Sequence, residues 1–143
     1  MLDIKRLFDF PYHQLEAHNL EVALVSKKNG EWINTSTKEY LDKANAVSRA
    51  LLKLGVKKND KIAIISSTNR TEWCIVDIGV LQVGAQNIPI YPTISSEDYE
   101  YVLNHSQATY CFVSDEDVLD KVLKVKANTC LLYTSDAADE TCR

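Results

Sequence analysis

The stretch "KIAIISSTNRTEWCIVDIGVLQVGAQNIPIY", residues 61–91, contains the pattern that decides the fold. It opens with "KIAIIS", a β-branched apolar run typical of a buried strand. The following "TEWCIVDIGVLQVG" is apolar around most of its circumference, which predicts a helix covered by neighbours on several sides. "QNIPIY" then predicts a second strand. The order strand, helix, strand indicates a βαβ crossover, which joins parallel strands.

The same alternation continues towards the C-terminus. "SEDYEYVLNHS" and "EDVLDKVLKVK" predict two further helices, and "TYCFVS" between them predicts a third strand. Ile62, Ile88 and Tyr110 mark the three strands, and their spacing predicts a mainly parallel sheet. Pro89 has no amide hydrogen to donate, so we expect an edge, an end or a bulge where it interrupts its strand.

The N-terminal part of the chain does not show this alternation of strands and helices. Residues 4–18 predict one or two short helices that break near Pro11. Asn29 and Gly30 separate the extended runs "VALVSKK" and "EWINTS", and both residue types tolerate a positive φ. A β-hairpin therefore precedes the α/β part, and the predicted fold class is α/β, a hairpin followed by βαβαβα.

The most strongly patterned helix is "STKEYLDKANAVSRALLKLG". Ser36 and Glu39 have the spacing of a capping box, and Gly55 suits the position just after the helix end. Apolar side chains recur at helical spacing along one face. They are Tyr40, Ala44, Val47, Leu51 and Leu54.

Composition excludes several functional classes. Of the 143 residues, 45% are hydrophobic and 25% are charged, which suits a globular domain with one modest core. The net charge of −4 offers no basic surface to nucleic acid. There is no apolar run of the ~20 residues that span a bilayer, and no secretory h-region near the start. We therefore expect a cytoplasmic protein.

The cysteines do not form a recognisable metal or catalytic motif. Cys74, Cys111, Cys130 and Cys142 contain no C-x-x-C pair, which disfavours a zinc ribbon. Cys74 and Cys111 lie in apolar runs, where a thiol usually serves as a small hydrophobic side chain. A catalytic cysteine is the less favoured interpretation, because a catalytic thiol needs a base positioned beside it.

Other candidate chemistry is sparse. The four glycines form neither G-x-G-x-x-G nor a P-loop. A hydroxyl nucleophile would need a histidine base, and no spacing of the histidines supports one. The acidic residues at two predicted helix starts are explained by the helix dipole more readily than by a metal site. The residues considered are His13, His18, His105, Ser66, Ser67, Thr68, Glu97, Asp98, Asp115, Glu116 and Asp117.

The loop "SSTNR", residues 66–70, is the remaining candidate. Ligands bind at the carboxyl ends of strands in open α/β sheets, and this loop follows a predicted strand. A phosphate favours glycines, which the loop lacks, although Arg70 offers a cation. Asn69, three residues before Glu72, predicts an N-cap. A capped connection is therefore favoured over a nucleotide cradle.

Residues 50–106 contain an ordered set of short motifs: Leu54-Gly55-Val56, Asp60, Ile62-Ala63-Ile64, Asn69-Arg70, Glu72-Trp73, Gly84-Ala85 and Pro89-Ile90-Tyr91-Pro92-Thr93. With these motifs the segment resembles the N-terminal part of AMP-forming acyl-CoA synthetases, members of the adenylate-forming superfamily. The likeness is strongest to long-chain fatty-acid–CoA ligases and extends more weakly over residues 7–125. Where the family usually has Gly-Asp, this chain has Asn59-Asp60.

The resemblance implies a two-step reaction for the parent enzyme, in which a carboxylate and ATP give an acyl-adenylate and coenzyme A then displaces AMP. It implies ATP, Mg²⁺ and coenzyme A as cofactors and a fatty acid as substrate. It also makes peripheral membrane contact of the parent plausible, and it leaves the oligomeric state open. The family's phosphate loop ending Pro-Lys-Gly, its Tyr-Gly-x-Thr-Glu segment, its ribose-binding aspartate and its lysine in a small C-terminal domain do not occur in residues 1–143.

We therefore assign no catalytic, cofactor-binding or metal residue within this chain, and we expect an incomplete domain that is inactive alone. Two alternatives stay open. One is a standalone noncatalytic α/β binding module, and the other is part of another adenylate-forming ligase for short-chain or aromatic acids.

The last residues do not continue the alternation of predicted strands and helices. "CLLYTSDAADE", residues 130–140, resembles the conceptual translation of a transposon-type sequencing adapter read in frame. We therefore expect residues 1–129 to be the N-terminal portion of the AMP-binding domain and residues 130–143 to be an artefactual or disordered tail. A natural disordered C-terminus is the alternative.

Overall fold

Helices and strands alternate along most of the chain in the computed structural model, which describes residues 4–131 and 133–136. The elements are α1 Asp9–Ala17, β1 Leu24–Lys28, β2 Glu31–Thr35, α2 Thr37–Lys53, β3 Lys61–Ile65, α3 Thr71–Gln82, β4 Gln86–Ile90, α4 Ser96–Ser106, β5 Tyr110–Val113, α5 Glu116–Val125, a 3-10 turn Lys126–Asn128 and β6 Tyr133–Asp136. No helix in these ranges is both long and apolar enough to cross a membrane.

The chain divides into two units. One contains the described residues up to Lys58 together with Asn69–Ala85, and therefore holds the hairpin and α1, α2 and α3. The other contains Asn59–Thr68 and the described residues from Gln86 onward. It holds the second sheet with α4 and α5.

The sheet of the second unit is parallel throughout, in the order β4-β3-β5-β6. This confirms the predicted mainly parallel sheet. In the part of the chain that the structure describes, β4 lies at one end of the sheet, with Pro89 opposite Ile64. The missing amide hydrogen of Pro89 is therefore tolerated as expected, at an edge.

The core of the second unit forms between its sheet and its helices. Tyr99 and Leu103 of α4 and Val122 of α5 are fully buried, as are Ala63 and Ile65 of β3. The Tyr99 hydroxyl donates a 2.9 Å hydrogen bond to the Pro92 carbonyl, so this buried ring keeps a partner for its polar end.

Helix α2 begins and ends where the sequence predicts. The Ser36 hydroxyl accepts from the Glu39 amide at 3.2 Å, and the Glu39 carboxylate accepts from the Ser36 amide at 2.9 Å. At the other end Gly55 has a φ of +85°, and the Val56 amide reaches back to the Leu51 carbonyl. The capping box and the glycine C′ position are both confirmed.

The predicted hairpin is also confirmed. Strands β1 and β2 pair antiparallel from Leu24 opposite Thr35 to Lys28 opposite Glu31. Asn29 and Gly30 form the turn with φ values of 53° and 87°, the pattern of a type I′ turn.

Helices α2 and α3 approach closely because one position carries no side chain. A Cβ built on Gly79 would lie 2.6 Å from Cγ1 and 2.8 Å from Cβ of Val47. Beside this contact the Ser48 hydroxyl donates to the Gln82 side chain at 2.6 Å, and Gln82 donates to the Tyr12 hydroxyl at 2.8 Å. Gln82, a polar exception in an apolar helix, therefore links α3 to α2 and α1.

Two local expectations change. Residues 4–18 contain one helix, Asp9–Ala17, and Pro11 does not break it. Pro11 is the third residue of α1, where the amide hydrogen that proline lacks would have no partner within the helix. Strand β6 lies within residues 130–143, where no element was predicted. Its pairing with β5 does not test where that segment comes from, so the division at residue 129 stays a prediction.

Replacing the N-cap of α2, Ser36→Ala, should lower the free energy of unfolding by about 1 kcal/mol, because the Glu39 amide loses its acceptor. Urea denaturation followed by circular dichroism measures this change. Ser36→Thr keeps the hydroxyl and should retain most of the stability. Equal losses in the two variants would show that the cap does not stabilise α2.

Gly79→Ala should cost about 1–3 kcal/mol, since the new methyl group overlaps the stiff β-branched side chain of Val47. The double variant with Val47→Ala should lose less than the sum of the two single variants. A thermodynamic cycle from three urea titrations measures this coupling. Strict additivity would show that the close approach of α2 and α3 does not depend on Gly79.

Candidate functional site at the carboxyl edge of the parallel sheet

The connections after β3, β4 and β5 reach the same edge of the second unit, because the three strands are parallel. The chain runs from β3 to β4 on one side and then to β5 on the other side of β3. The carboxyl ends of β3 and β5 therefore meet where the strand order reverses. This is the position at which open α/β sheets bind ligands.

Two hydroxyl groups and one carboxylate meet at this switch point. The Ser67 amide donates to the Ser114 hydroxyl at 2.9 Å. The Ser67 and Ser114 hydroxyls each donate to Oδ2 of Asp115, both at 2.5 Å. Strand pairing positions the three residues, since the Ser114 amide also donates to the Ile65 carbonyl at the end of β3. We call Ser67, Ser114 and Asp115 the edge cluster.

The same carboxylate also caps a helix. Oδ1 of Asp115 accepts from the Val118 amide at 3.0 Å, which makes Asp115 the N-cap of α5. The Asp115 carboxylate thus accepts a hydrogen bond from each hydroxyl of the cluster. It also lies at the positive end of the α5 dipole, where a negative charge is stabilising. A phosphate arriving here would face the Asp115 carboxylate, so the edge cluster does not fit a nucleotide phosphate.

The connection after β4 is held by its backbone. The Pro92 carbonyl accepts from the Tyr99 hydroxyl and, at 3.0 Å, from the ammonium of Lys121. The charged group of Lys121 therefore forms a hydrogen bond with a carbonyl oxygen of the same unit. Tyr91, the first residue after β4, is 80% exposed.

The predicted cap of α3 is wrong. Helix α3 begins at Thr71, so the N-cap is Arg70, and no side chain makes a cap hydrogen bond there. Asn69 lies one residue too early, because an N-cap side chain must directly precede the first helical residue. Nε of Arg70 lies 3.6 Å from a carboxylate oxygen of Glu72, which directs this cation at its own helix.

The other candidate residues are not brought together. His13 lies in α1 of the first unit, and His105 stacks on Tyr101 of α4 with ring centroids 5.6 Å apart. The Ser66 hydroxyl donates to the Thr68 carbonyl and not to a histidine. Within residues 4–131 and 133–136, no three His, Cys, Asp or Glu side chains form a cluster that could hold a metal ion.

The acids at the start of α4 have a more specific role than the expected dipole interaction. The Ser95 hydroxyl accepts from the Asp98 amide at 3.1 Å, and the Asp98 carboxylate accepts in return from the Ser95 amide at 3.4 Å. Ser95 and Asp98 therefore form a second capping box. The spacing S-x-x-D was visible in the sequence and could have identified it.

Neither Cys74 nor Cys111 has the environment of a nucleophile. Burial raises the pKa of the Cys111 thiol to about 12. Burial, together with the nearby Asp77 carboxylate, also raises the pKa of the Cys74 thiol. A nucleophilic cysteine needs the opposite shift, towards the thiolate.

Sequence reasoning missed the edge cluster. An aspartate directly before a helix pattern is a usable signal for the N-cap role of Asp115. The bonds of Ser67 with Ser114 and Asp115 join residues 47 and 48 positions apart and depend on β3 lying beside β5. No local pattern carries that information.

Comparisons with known proteins agree on one family. The model of the AMP-binding enzyme family matches residues 12–142. Over 129 residues the chain is 30% identical to the long-chain-fatty-acid–CoA ligase ACSBG2 of Xenopus laevis, covering 87% of this chain and 17% of that protein. Over 88 residues it is 36% identical to the long-chain-fatty-acid–CoA ligase FadD15 of Mycobacterium bovis, covering 62% of this chain and 14% of that protein. The chain thus spans a small part of the length of these relatives.

The fold is shared with solved enzymes. A crystal structure of a long-chain-fatty-acid-CoA ligase (FadD1) from Archaeoglobus fulgidus superposes with a TM-score of 0.80 at 19% identity, covering 94% of this chain and 28% of that one. This confirms the predicted fold, part of the large domain of adenylate-forming enzymes. Because the family model spans nearly the whole chain and the architecture agrees with it, this chain belongs to the AMP-binding enzyme family.

Proposed function

We propose that this chain is part of an ATP-dependent long-chain fatty acid–CoA ligase. The observation that carries the proposal is the alignment of most of the chain with relatives that bear this name. In the proposed reaction the fatty acid carboxylate attacks the α-phosphate of ATP, and pyrophosphate leaves. The thiol of coenzyme A then attacks the carbonyl of the acyl-adenylate and displaces AMP.

The role proposed for the described residues is structural. The edge cluster occupies the switch point with a carboxylate that already has three donors. Lys121 and Arg70 are directed at a carbonyl and a carboxylate of the chain itself. These contacts support a scaffold that positions parts supplied elsewhere in the whole protein, where ATP, Mg²⁺, coenzyme A and the fatty acid would bind.

A second proposal concerns residues 130–143. Their likeness to a translated sequencing adapter supports an origin outside the ligase gene, with residues 1–129 as the AMP-binding portion. The family match and strand β6 both extend past residue 129, so the fold does not decide the matter. Sequencing the genomic locus across codon 130 decides it, since a frame that continues as "CLLYTSDAADE" would disprove the foreign origin.

The 143-residue chain should not catalyse fatty-acid-dependent exchange of pyrophosphate into ATP, because the proposed phosphate-binding parts lie outside it. The enzyme encoded by the full genomic reading frame should catalyse this exchange with palmitate. Radiolabelled pyrophosphate measures both. Exchange by the 143-residue chain would contradict the structural role. Exchange by the full enzyme with benzoate or acetate, and none with palmitate, would favour the other ligases of the superfamily.

Asp115→Ala should lower the free energy of unfolding by about 1–2 kcal/mol, since α5 loses its cap and two hydroxyls lose their acceptor. Asp117→Ala, in the same helical turn but exposed, is the matched control and should cost less. Urea denaturation compares the two variants. In the full enzyme, a fall in kcat at unchanged stability would instead make Asp115 part of the catalytic machinery.

A further inference from the structure

The turn of the β1–β2 hairpin places a side-chain amide beside an unshielded backbone nitrogen. Asn29 and Gly30 are both exposed, and a Cβ built on Gly30 would meet no atom within 4 Å. Among the described residues, no backbone carbonyl accepts a hydrogen bond from the Gly30 amide. Of the asparagines in the chain, Asn29 is the one that a glycine follows. The nitrogen next to the Asn29 side chain therefore has neither a hydrogen bond nor a neighbouring side chain to shield it.

We propose that Asn29 is a site of spontaneous deamidation in the folded chain. The Gly30 nitrogen attacks Cγ of Asn29, and a new N–C bond forms. The side-chain nitrogen leaves as ammonia and takes the proton that the Gly30 amide gives up. The product is a five-membered cyclic imide. Water then opens this ring at the side-chain carbonyl, which gives aspartate, or at the main-chain carbonyl, which gives isoaspartate.

The positive φ of Asn29 allows the imide to form without loss of the hairpin. Ring closure places the Gly30 nitrogen level with Cβ of residue 29, so ψ there must be about −120°, the value at the first central residue of a type II′ turn. The same residue of a type II′ turn has a φ of about +60°, and Asn29 already has a φ of 53°. Type I′ and type II′ turns both close two-residue hairpins. A flip of the one peptide unit between Asn29 and Gly30 is therefore sufficient.

The two products of ring opening affect the hairpin differently. Aspartate before glycine also suits a type I′ turn, so the pairing of Lys28 with Glu31 is retained. Isoaspartate carries the main chain through its side-chain carbon, which adds one atom to a turn whose length fixes the register. Isoaspartate therefore disrupts the pairing next to the turn, and each product adds one negative charge.

Incubation of the 143-residue chain at mildly alkaline pH, followed by peptide mapping, tests the proposal. Trypsin releases residues 29–38 as one peptide, which also contains Asn34. Asn34 is exposed in β2 but precedes the β-branched Thr35, so it is an internal control. Mass-spectrometric fragmentation should locate deamidation at Asn29 and not at Asn34. The rate should rise with pH, because the attacking nitrogen must lose its proton.

Two further readouts identify the chemistry. Isoaspartyl methyltransferase should transfer a labelled methyl group to the incubated chain and not to the fresh one. Asn29→Gly removes the reacting amide and keeps a residue that tolerates a positive φ, so it should abolish this labelling. Circular dichroism should show the same secondary structure in the variant.

A destabilised variant separates reaction in the folded hairpin from reaction through unfolding. Gly79→Ala lowers the stability of the same unit at a position outside the turn. The deamidation rate of Asn29 should be the same in this variant as in the unaltered chain. If the reaction required unfolding, the variant would react about fivefold faster or more, because its unfolded population is larger by that factor.

Three outcomes would overturn the proposal. The first is deamidation of Asn29 in urea and none in the folded chain. The second is equal deamidation at Asn29 and Asn34, which would show that the glycine has no effect. The third is the faster reaction of Gly79→Ala, which would show that the folded hairpin does not admit the imide.

Discussion

The central strand β3 constrains the second unit more than any other element. It pairs with β4 on one side and β5 on the other, so its backbone groups have partners on both edges. Ile62, Ala63 and Ile65 have no exposed surface. Parallel pairing on both sides also requires the chain to pass from one side of β3 to the other between β4 and β5. The position of β3 therefore determines where the switch point lies and brings the residues of the edge cluster together there.

Features encoded over a few residues could be predicted from the sequence. Three such features depend only on residues that are close together in the sequence. They are the Asn29-Gly30 turn, the Ser36–Glu39 capping box and the β-branched run of β3. The local errors arose where a shift of one or two residues changes the role of a side chain. Asn69 misses the cap position by one residue, and Pro11 lies within the first turn, where the helix tolerates it.

The arrangement at the switch point could not be predicted in the same way. The bonds between Ser67 and Asp115 require β3 and β5 to be neighbours, and strand order is a property of the whole sheet. The sequence did show that residues 66–70 lack glycine, which argues against close approach of a phosphate. The structure adds a physical reason, since a carboxylate already holds the donors that an anion would use. The absence of a cofactor-binding residue in this chain stays a prediction.

The stabilising contacts described for the first unit lie between its helices. Its three helices are joined by the Gly79–Val47 approach and by hydrogen bonds through Gln82 to Tyr12 and Ser48. Trp32 of β2 takes no part in these contacts, and its side chain is 70% exposed. A change at Trp32 or Lys27 should therefore leave the helices in place.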